Sequence, residues 1–265
     1  MEIINVSGYR FVELDELEAK QQSLLNQCAA LNIMGTILLS PEGINMMLAG
    51  TSHAIEQLKT YLNDWPEFHN LWLKQSTTTF IPFKRLRVRI KATIIPNVTD
   101  HFIPDESSPN ISPIQFKSWL DEGKKITVLD TRNQFEIAFG GFDQAIDLHI
   151  NNFADLPKAI NKLDDTLKKT PLVMYCTGGI RCEKASVLLK QQGFQEIYQL
   201  EGGIINYFET CGDTHYHGSC YVFDERVALD SHLQPTGEGQ CQQCQAPIPA
   251  PQRAQSDSTC MQCLL

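Results

Sequence analysis

A cysteine, two glycines and an arginine lie within six consecutive residues of this sequence. Cys176 ends an apolar run, Gly178 and Gly179 follow it, and Arg181 precedes a segment with helical spacing. A strand that turns through glycines into a helix brings backbone N–H groups and the positive end of the helix towards the sulfur. These surroundings favour a thiolate over a thiol, and the arginine adds a fixed charge whose fork can hold an incoming anion. The pattern predicts a nucleophilic cysteine.

Residues 176–181, named the Cys176 loop from here on, form the predicted active site. An isolated cysteine is more often an inert core thiol, but here a strand, two glycines, an arginine and a helix coincide. The catalytic candidates are Cys176 and Arg181. Four residues lie between them, one fewer than in a phosphatase-type phosphate loop, so we expect a smaller guest such as a terminal sulfur. The residues between them are Thr177, Gly178, Gly179 and Ile180.

Three neighbouring residues are expected to support this loop. Cys182 follows Arg181 on the first helical turn, where it can resolve an oxidised or persulfidated Cys176 as a disulfide. A partly buried helix residue is an equally good interpretation of Cys182. Asp130 and Arg132 follow a short apolar strand. We expect them to brace the loop by pairing and hydrogen bonds.

Two CxxC pairs near the end of the sequence predict a metal site. Fifteen residues separate the pairs, a spacing typical of structural zinc held by four thiolates. The second pair lies close to the last residue, and chain ends fray, which weighs against the site. The candidate ligands are Cys241, Cys244, Cys260 and Cys263.

One strand-like segment concentrates positive charge. In residues 84–91 a period of two places four cations on one face and three apolar residues on the other. Such a face predicts phosphate binding and therefore an RNA partner. The alternative is a solvated sheet edge made basic to prevent aggregation. The four cations, named the basic stripe, are Arg85, Arg87, Arg89 and Lys91.

The charge balance is compatible with this interpretation. The 265 residues carry a net charge of −9, but residues 1–97 hold 9 basic and 9 acidic side chains, so the acidic excess lies elsewhere. No apolar run is long enough to span a membrane, and the first residues lack the apolar stretch of a secretory signal. We therefore expect a cytoplasmic protein with mostly reduced cysteines and no membrane partner. The sequence contains no flavin or dinucleotide fingerprint.

The hydrophobic patterns predict an α/β protein with two domains and a tail. Residues 1–97 follow the β-α-β-β-α-β order of a ferredoxin-like (acylphosphatase-like) α+β domain. Residues 98–111 are predicted to be a linker. Residues 112–210 alternate strands and helices, which predicts a parallel sheet with helices on both faces, and residues 211–265 form a Cys-rich tail. Individual elements include strands over Phe68–Lys74 and Arg85–Ile95 and helices over Asp155–Lys169 and Glu183–Gln192.

Several motifs resemble known families. CTGGIRCEKAS at 176–186 resembles the active loop of a rhodanese domain, and the segments 130–146 and 200–204 resemble that domain's earlier strand-and-turn signature and its closing Gly-Gly segment. With PEGIN at 41–45 and GSCYVFDERVA at 218–228, in this order, the whole chain resembles the rhodanese-containing bacterial tRNA uridine hydroxylases.

This resemblance implies an oxidoreductase that forms 5-hydroxyuridine at the wobble position, 34, of tRNA, with molecular oxygen as co-substrate. It also implies that Cys176 is essential and can carry a persulfide. Two other functions remain open: a rhodanese-type sulfurtransferase that delivers sulfur to tRNA or another acceptor, and a non-catalytic, zinc-tailed RNA-binding adaptor. The intact pair of Cys176 and Arg181 speaks against the adaptor.

Overall fold

The computed structural model describes residues 2–99, 102, 104–253 and 258–264. Parts of the predicted linker 98–111 and of the tail 211–265 therefore lie outside the described residues. The chain divides into two units, Met1–Pro96 and Asn97–Leu265. Within the described ranges, no helix combines the length and the apolar character that crossing a membrane would require.

The first unit is a five-stranded sheet with two helices. Its strands lie in the order β4-β1-β3-β2-β5, in which β2 and β5 are parallel and the other neighbours antiparallel. The first four strands have the ferredoxin-like arrangement, which confirms the expected fold, and β5 adds a further edge. The elements are β1 (Ile3–Phe11), α1 (Leu17–Ala30), β2 (Met34–Ser40), β3 (Gly43–Thr51), α2 (Ser52–Asn63), β4 (Lys74–Thr78) and β5 (Leu86–Ile90).

Two predicted strands of this unit differ from the structure. Phe68 ends a 3-10 turn instead of starting a strand, because its ring is buried and stacks on Trp65 with 5.5 Å between centroids. The fourth strand therefore begins at Lys74. The next strand covers Leu86–Ile90 and not the whole of Arg85–Ile95. Beyond it, Ile94 donates its backbone N–H to the side chain of Glu42 over 2.8 Å and not to a neighbouring strand.

The second unit is built on a five-stranded, fully parallel sheet in the order β6-β11-β10-β7-β9. β6 lies within the segment predicted as a linker. The elements up to the end of this sheet are β6 (Asn110–Ile111), α3 (Pro113–Asp121), β7 (Thr127–Asp130), α4 (Gln134–Ile137), β8 (Gly140–Phe142), β9 (Ile146–Asp147), α5 (Leu156–Ile160), β10 (Leu172–Tyr175), α6 (Ile180–Gln191), β11 (Ile197–Leu200) and α7 (Gly203–Cys211).

Both faces of this sheet are covered. Successive side chains of a strand point to opposite faces, and all four residues of β10 are buried. Parallel sheets normally have this arrangement because their crossover helices lie on the faces. Helix α3 packs against α7, and α5 packs against α6. The rhodanese-like fold with its parallel sheet is therefore confirmed.

The predicted helix over Asp155–Lys169 is interrupted. The structure contains α5 and then a separate 3-10 segment, Asp165–Lys169. The side chain of Asp164 accepts the N–H of Thr166 over 2.8 Å, which caps a new turn and ends the old one. Helix α6 begins at Ile180 and not at Glu183, because Gly179 before it adopts a φ of 100° that favours glycine.

The segment after Cys211 folds onto the second unit in three small sheets. Strand β12 pairs with β8, and the ring of Tyr216 packs edge-on against that of Phe142. The remaining pairs are hairpins, β13 with β14 and β15 with β16. The elements are β12 (Tyr216–Gly218), β13 (Cys220–Tyr221), β14 (Ala228–Leu229), β15 (Gly239–Gln240), β16 (Pro247–Ile248), α8 (Ala250–Arg253) and α9 (Met261–Leu264).

Candidate functional site

Cys176 lies where β10 ends and the turn into α6 begins. Its side chain is buried, and the N–H of Gly179 donates a hydrogen bond to its Sγ over 3.1 Å. The backbone N–H groups of Gly178 and Arg181 also favour the thiolate form. Backbone donors of the turn therefore stabilise negative charge on the sulfur.

The surroundings of Cys176 make it acidic. Burial raises the pKa of its thiol, but a hydrogen bond with Cys182, the charge of Arg181 and the backbone donors outweigh burial and lower the pKa to about 5. Burial and the hydrogen bond to Cys176 raise the pKa of Cys182 well above its usual range. At neutral pH the pair therefore consists of a thiolate at Cys176 and a neutral thiol at Cys182 that donates to it.

The guanidinium of Arg181 is paired with a carboxylate. Its Nη1 and Nη2 donate to the two oxygens of Glu136, over 2.5 Å and 2.7 Å, and both side chains are buried. Glu136 also accepts the N–H of Asn133 over 3.1 Å. Two of the five N–H groups of the guanidinium are therefore engaged by Glu136, and the binding of an incoming anion by Arg181 stays a prediction.

Glu136 is a functional residue that the sequence did not reveal. It lies on the short helix α4, 45 positions from its partner in the chain. A buried arginine almost always needs an anion, and Glu136 supplies it for Arg181. The sequence offers many acids, and only the fold selects this one.

Asp130 and Arg132 form a second buried ion pair. Nε and Nη2 of Arg132 donate to the carboxylate of Asp130 over 3.0 Å and 2.6 Å, and Nη2 also donates to the carbonyl of Gly140 over 2.7 Å. The guanidinium carbon lies 5.5 Å from the ring centroid of Tyr175, the residue before Cys176. The pair thus fixes the ends of β7, β8 and β10 relative to one another.

The start of α7 supports the Cys176 loop through two backbone hydrogen bonds. The N–H groups of Ile204 and Ile205 donate to the carbonyls of Cys176 and Thr177 over 3.0 Å and 3.2 Å. Gly203 has a φ of 67°, and a Cβ on it would lie 2.4 Å from the carbonyl oxygen of Cys176. Only glycine allows this close approach.

The basic stripe lies on β5, at one edge of the first sheet. The side chains of Arg85, Arg89 and Lys91 are exposed and that of Arg87 is half-buried. The alternating residues of β5 contact the core, and Val88 is buried there. An exposed cationic edge is compatible with both predictions made for the stripe, phosphate binding and protection against aggregation.

The four cysteines of the tail come together. Their Sγ atoms lie within 4.8 Å of one another, beside the hairpin β15–β16, and the N–H of Cys260 donates to the sulfur of Cys241 over 3.3 Å. Thiolates around a tetrahedral zinc ion, with Zn–S bonds of about 2.3 Å, lie about 3.8 Å apart. The donor set and its spacing therefore fit one metal ion. All nine cysteines of the chain are free thiols.

Comparisons with known proteins agree with this architecture. A family model of the UPF0176 acylphosphatase-like domain matches residues 3–94, and a model of the rhodanese-like domain matches residues 112–210. The tRNA uridine(34) hydroxylases of Cupriavidus necator and Ralstonia nicotianae are each 42% identical to this chain, over 97% of it and 93% of their own length. The solved rhodanese-like domain of an Anabaena protein is 23% identical over 42% of this chain and 80% of its own, with a TM-score of 0.34.

Proposed function

Because this chain belongs to the family of the tRNA uridine(34) hydroxylases, we propose that it hydroxylates the wobble uridine of tRNA to 5-hydroxyuridine with Cys176 as its catalytic residue. The observation that carries this proposal is the buried sulfur of Cys176, which accepts the backbone N–H of Gly179 at the end of a parallel strand, beside the guanidinium of Arg181. A polarisable anion in this position is suited to covalent chemistry on a small group.

The residues around Cys176 have separate tasks in this proposal. Arg181 stabilises the thiolate by its charge, and Glu136 holds the guanidinium in place. Asp130 and Arg132 position the strand that ends at the loop. Cys182 donates to the thiolate and is suited to resolve an oxidised sulfur as a disulfide. Molecular oxygen, as co-substrate, would supply the oxygen atom. Its second atom would leave as water, with two electrons and two protons from a thiol pair such as Cys176 and Cys182 that is oxidised to a disulfide and must then be reduced again.

The substrate tRNA is expected in the cytoplasm, and the basic stripe is proposed to bind its phosphates. Each exposed arginine or lysine that contacts a phosphate releases condensed counterions, which favours binding at moderate salt. The stripe lies in the unit whose charges sum to zero, so the acidic excess of the chain does not oppose it locally.

We further propose that Cys241, Cys244, Cys260 and Cys263 hold a structural zinc ion. When bound, the ion would link the two ends of a segment whose described residues form a hairpin of two-residue strands and two short helices. Such small elements bury little apolar surface, and a metal ion replaces the missing core.

A sulfurtransferase remains the second candidate function. It is favoured by the match to the rhodanese-like domain and by the short turn of four residues between Cys176 and Arg181, which suits a terminal sulfur on Cys176. The non-catalytic adaptor is disfavoured, since a vestigial site has no need to keep a cysteine, its arginine and the carboxylate that holds the arginine.

Nucleoside mass spectrometry of tRNA from a deletion strain separates these functions. Loss of 5-hydroxyuridine supports the hydroxylase, loss of a thiolated base supports the sulfurtransferase, and unchanged nucleosides contradict both.

Complementation of that strain tests the site. Cys176→Ser is expected to restore no 5-hydroxyuridine, whereas Cys211→Ser, a half-buried cysteine outside the loop, is expected to restore it fully. Full rescue by Cys176→Ser would overturn the catalytic assignment.

A further inference from the structure

Three aromatic rings, which we name the aromatic cluster, lie next to the Cys176 loop. They belong to Phe135, Tyr221 and Phe223. The ring of Tyr221 lies 5.2 Å from that of Phe135 and 5.1 Å from that of Phe223, and the third pair is 6.4 Å apart. All three pairs meet nearly at right angles, with interplanar angles of 84° to 88°.

The aromatic cluster is attached to the active loop at two points. Phe135 precedes Glu136 on α4, and Glu136 binds the guanidinium of Arg181. On the other side, the hydroxyl of Thr177 donates to the carbonyl of Tyr221 over 3.5 Å. The position of the rings is therefore fixed relative to the catalytic cysteine.

The turn between β13 and β14 holds Phe223 outwards. Phe223 is 47% exposed, whereas its partner Tyr221 is half-buried. Arg226 and Asp224 pair within the turn over 2.6 Å, and Val227 has a φ of 66°. A β-branched residue rarely adopts this conformation, and strained backbone of this kind concentrates at functional sites.

The exposed part of Phe223 leaves room for a planar guest. About half of this residue's surface is open to solvent, and the edge-to-face contacts with Phe135 and Tyr221 hold the ring in place from the protein side. RNA-binding proteins take up unstacked bases on such aromatic faces. Enzymes that modify a base must also move that base out of its stack.

We propose that Phe223, supported by Phe135 and Tyr221, is the platform on which a base of the tRNA anticodon loop stacks while uridine 34 reaches the Cys176 loop. This inference rests on the proposed function and makes Phe223 a positioning residue. The anticodon loop is the occupant because the platform borders the loop where the target base must arrive, and because the bases of a single-stranded loop are available for stacking.

Photocrosslinking tests the platform. Anticodon stem–loop RNAs that carry a single 5-iodouridine at position 33, 34 or 35 are bound to the full chain and irradiated, and the adduct is located by peptide mass spectrometry. The iodinated base couples efficiently to an aromatic ring on which it stacks. We expect an adduct on Phe223 or on its two partners.

Binding measurements with variants complete the test. Phe223→Leu is expected to lose the adduct and to weaken RNA binding about tenfold, whereas Phe223→Tyr keeps both. Ile114→Ala removes another exposed apolar side chain of the same unit and is the matched control, with unchanged binding.

The outcomes distinguish the two proposals. Suppose that the wild-type chain restores 5-hydroxyuridine in the deletion strain. The proposed role of Phe223 is then overturned, and the hydroxylase stands, if the adducts lie only outside the aromatic cluster or if Phe223→Leu binds the RNAs as tightly as wild type. If the wild-type chain neither binds the RNAs nor restores the nucleoside, both are overturned.

Discussion

Arg181 donates the two terminal nitrogens of its guanidinium to the two carboxylate oxygens of Glu136, and this buried pair joins α6 to α4 beside the catalytic cysteine. The positive charge near Cys176 is therefore partly balanced before any substrate arrives. Breaking such a pair from one side leaves a buried charge without a partner, which costs far more than the intact pair contributes.

Glu136→Gln is therefore expected to lower the free energy of unfolding by about 3 kcal/mol. It should also lower the pKa of Cys176 further, since the charge of Arg181 is no longer offset. Urea denaturation and thiolate absorbance measure the two effects. Glu56→Gln, which removes the exposed partner of Lys59, is the control with little change. A pKa that rises in Glu136→Gln would contradict this electrostatic account.

The pH dependence of the thiolate follows from its lowered pKa. The difference in ultraviolet absorbance between wild type and Cys176→Ser is expected to titrate with a midpoint at about pH 5. A thiol in the unfolded chain titrates near pH 8.5. The thiolate therefore contributes stability that is complete above about pH 8.5, declines as the pH falls and is lost below about pH 5. A midpoint near pH 8.5 would show that the loop does not activate the cysteine.

Gly203→Ala tests the support beneath the Cys176 loop. The added Cβ meets the carbonyl oxygens of Cys176 and Thr177 at 2.4 Å and 2.8 Å, so the loop must move. We expect a loss of about 2 kcal/mol or more in the free energy of unfolding, together with a rise in the pKa of Cys176.

Gly123→Ala is the matched control for this change. Gly123 has nearly the same φ, 63°, but nothing lies within 4 Å of the added Cβ. It carries only the backbone cost of a positive φ, about 1 kcal/mol, and should leave the thiolate unchanged. Equal effects of the two variants would mean that backbone conformation, and not contact with the loop, is responsible.

Zinc content tests the cluster of the tail. Chain purified from zinc-containing medium is expected to hold about one zinc ion, measured by elemental mass spectrometry, and Cys244→Ser or Cys260→Ser should lose it. Cys211→Ser should keep it. Chelation is expected to lower the melting temperature of the wild type, and a metal-free wild type of unchanged stability would exclude a structural ion.

The salt dependence of tRNA binding tests the basic stripe. Arg87→Glu combined with Arg89→Glu should weaken binding and flatten the plot of log Kd against log salt by about 0.9 for each phosphate that the variant no longer neutralises. Lys59→Glu, on α2 of the same unit, should have a smaller effect. An unchanged slope would favour the interpretation of the stripe as a protective sheet edge.

The contrast between Cys176 and Glu136 shows how much of the site the sequence could reveal. Cys176, its glycines and Arg181 are adjacent in the chain, so their joint chemistry is visible in one short segment. Glu136 lies in the segment that resembles a rhodanese signature, but its pairing with Arg181, 45 positions away, arises only from the fold. The aromatic cluster is similar, since Phe135 and Phe223 meet only after β13 packs beside α4.

The fold was predictable where periodicity was strong. The strands around Val173 and the ferredoxin-like order of the first unit follow from apolar patterns. The prediction of one helix over Asp155–Lys169 is wrong because the side chain of Asp164 accepts the backbone N–H of Thr166 and a separate 3-10 segment begins there. The strand at Phe68 was wrong because an aromatic contact with Trp65 fixes that ring in a turn.

The hydrogen bonds from Ile204 and Ile205 also determine when, during synthesis, the Cys176 loop can be held in its final position. During translation the N-terminal parts of a chain fold first, and every strand of the first unit is complete once Ile90 has left the ribosome. The Cys176 loop must wait for Ile205, and the turn that carries Phe223 must wait longer. The backbone support of the Cys176 loop is therefore complete only after Ile205 has been made, well after the first unit can fold.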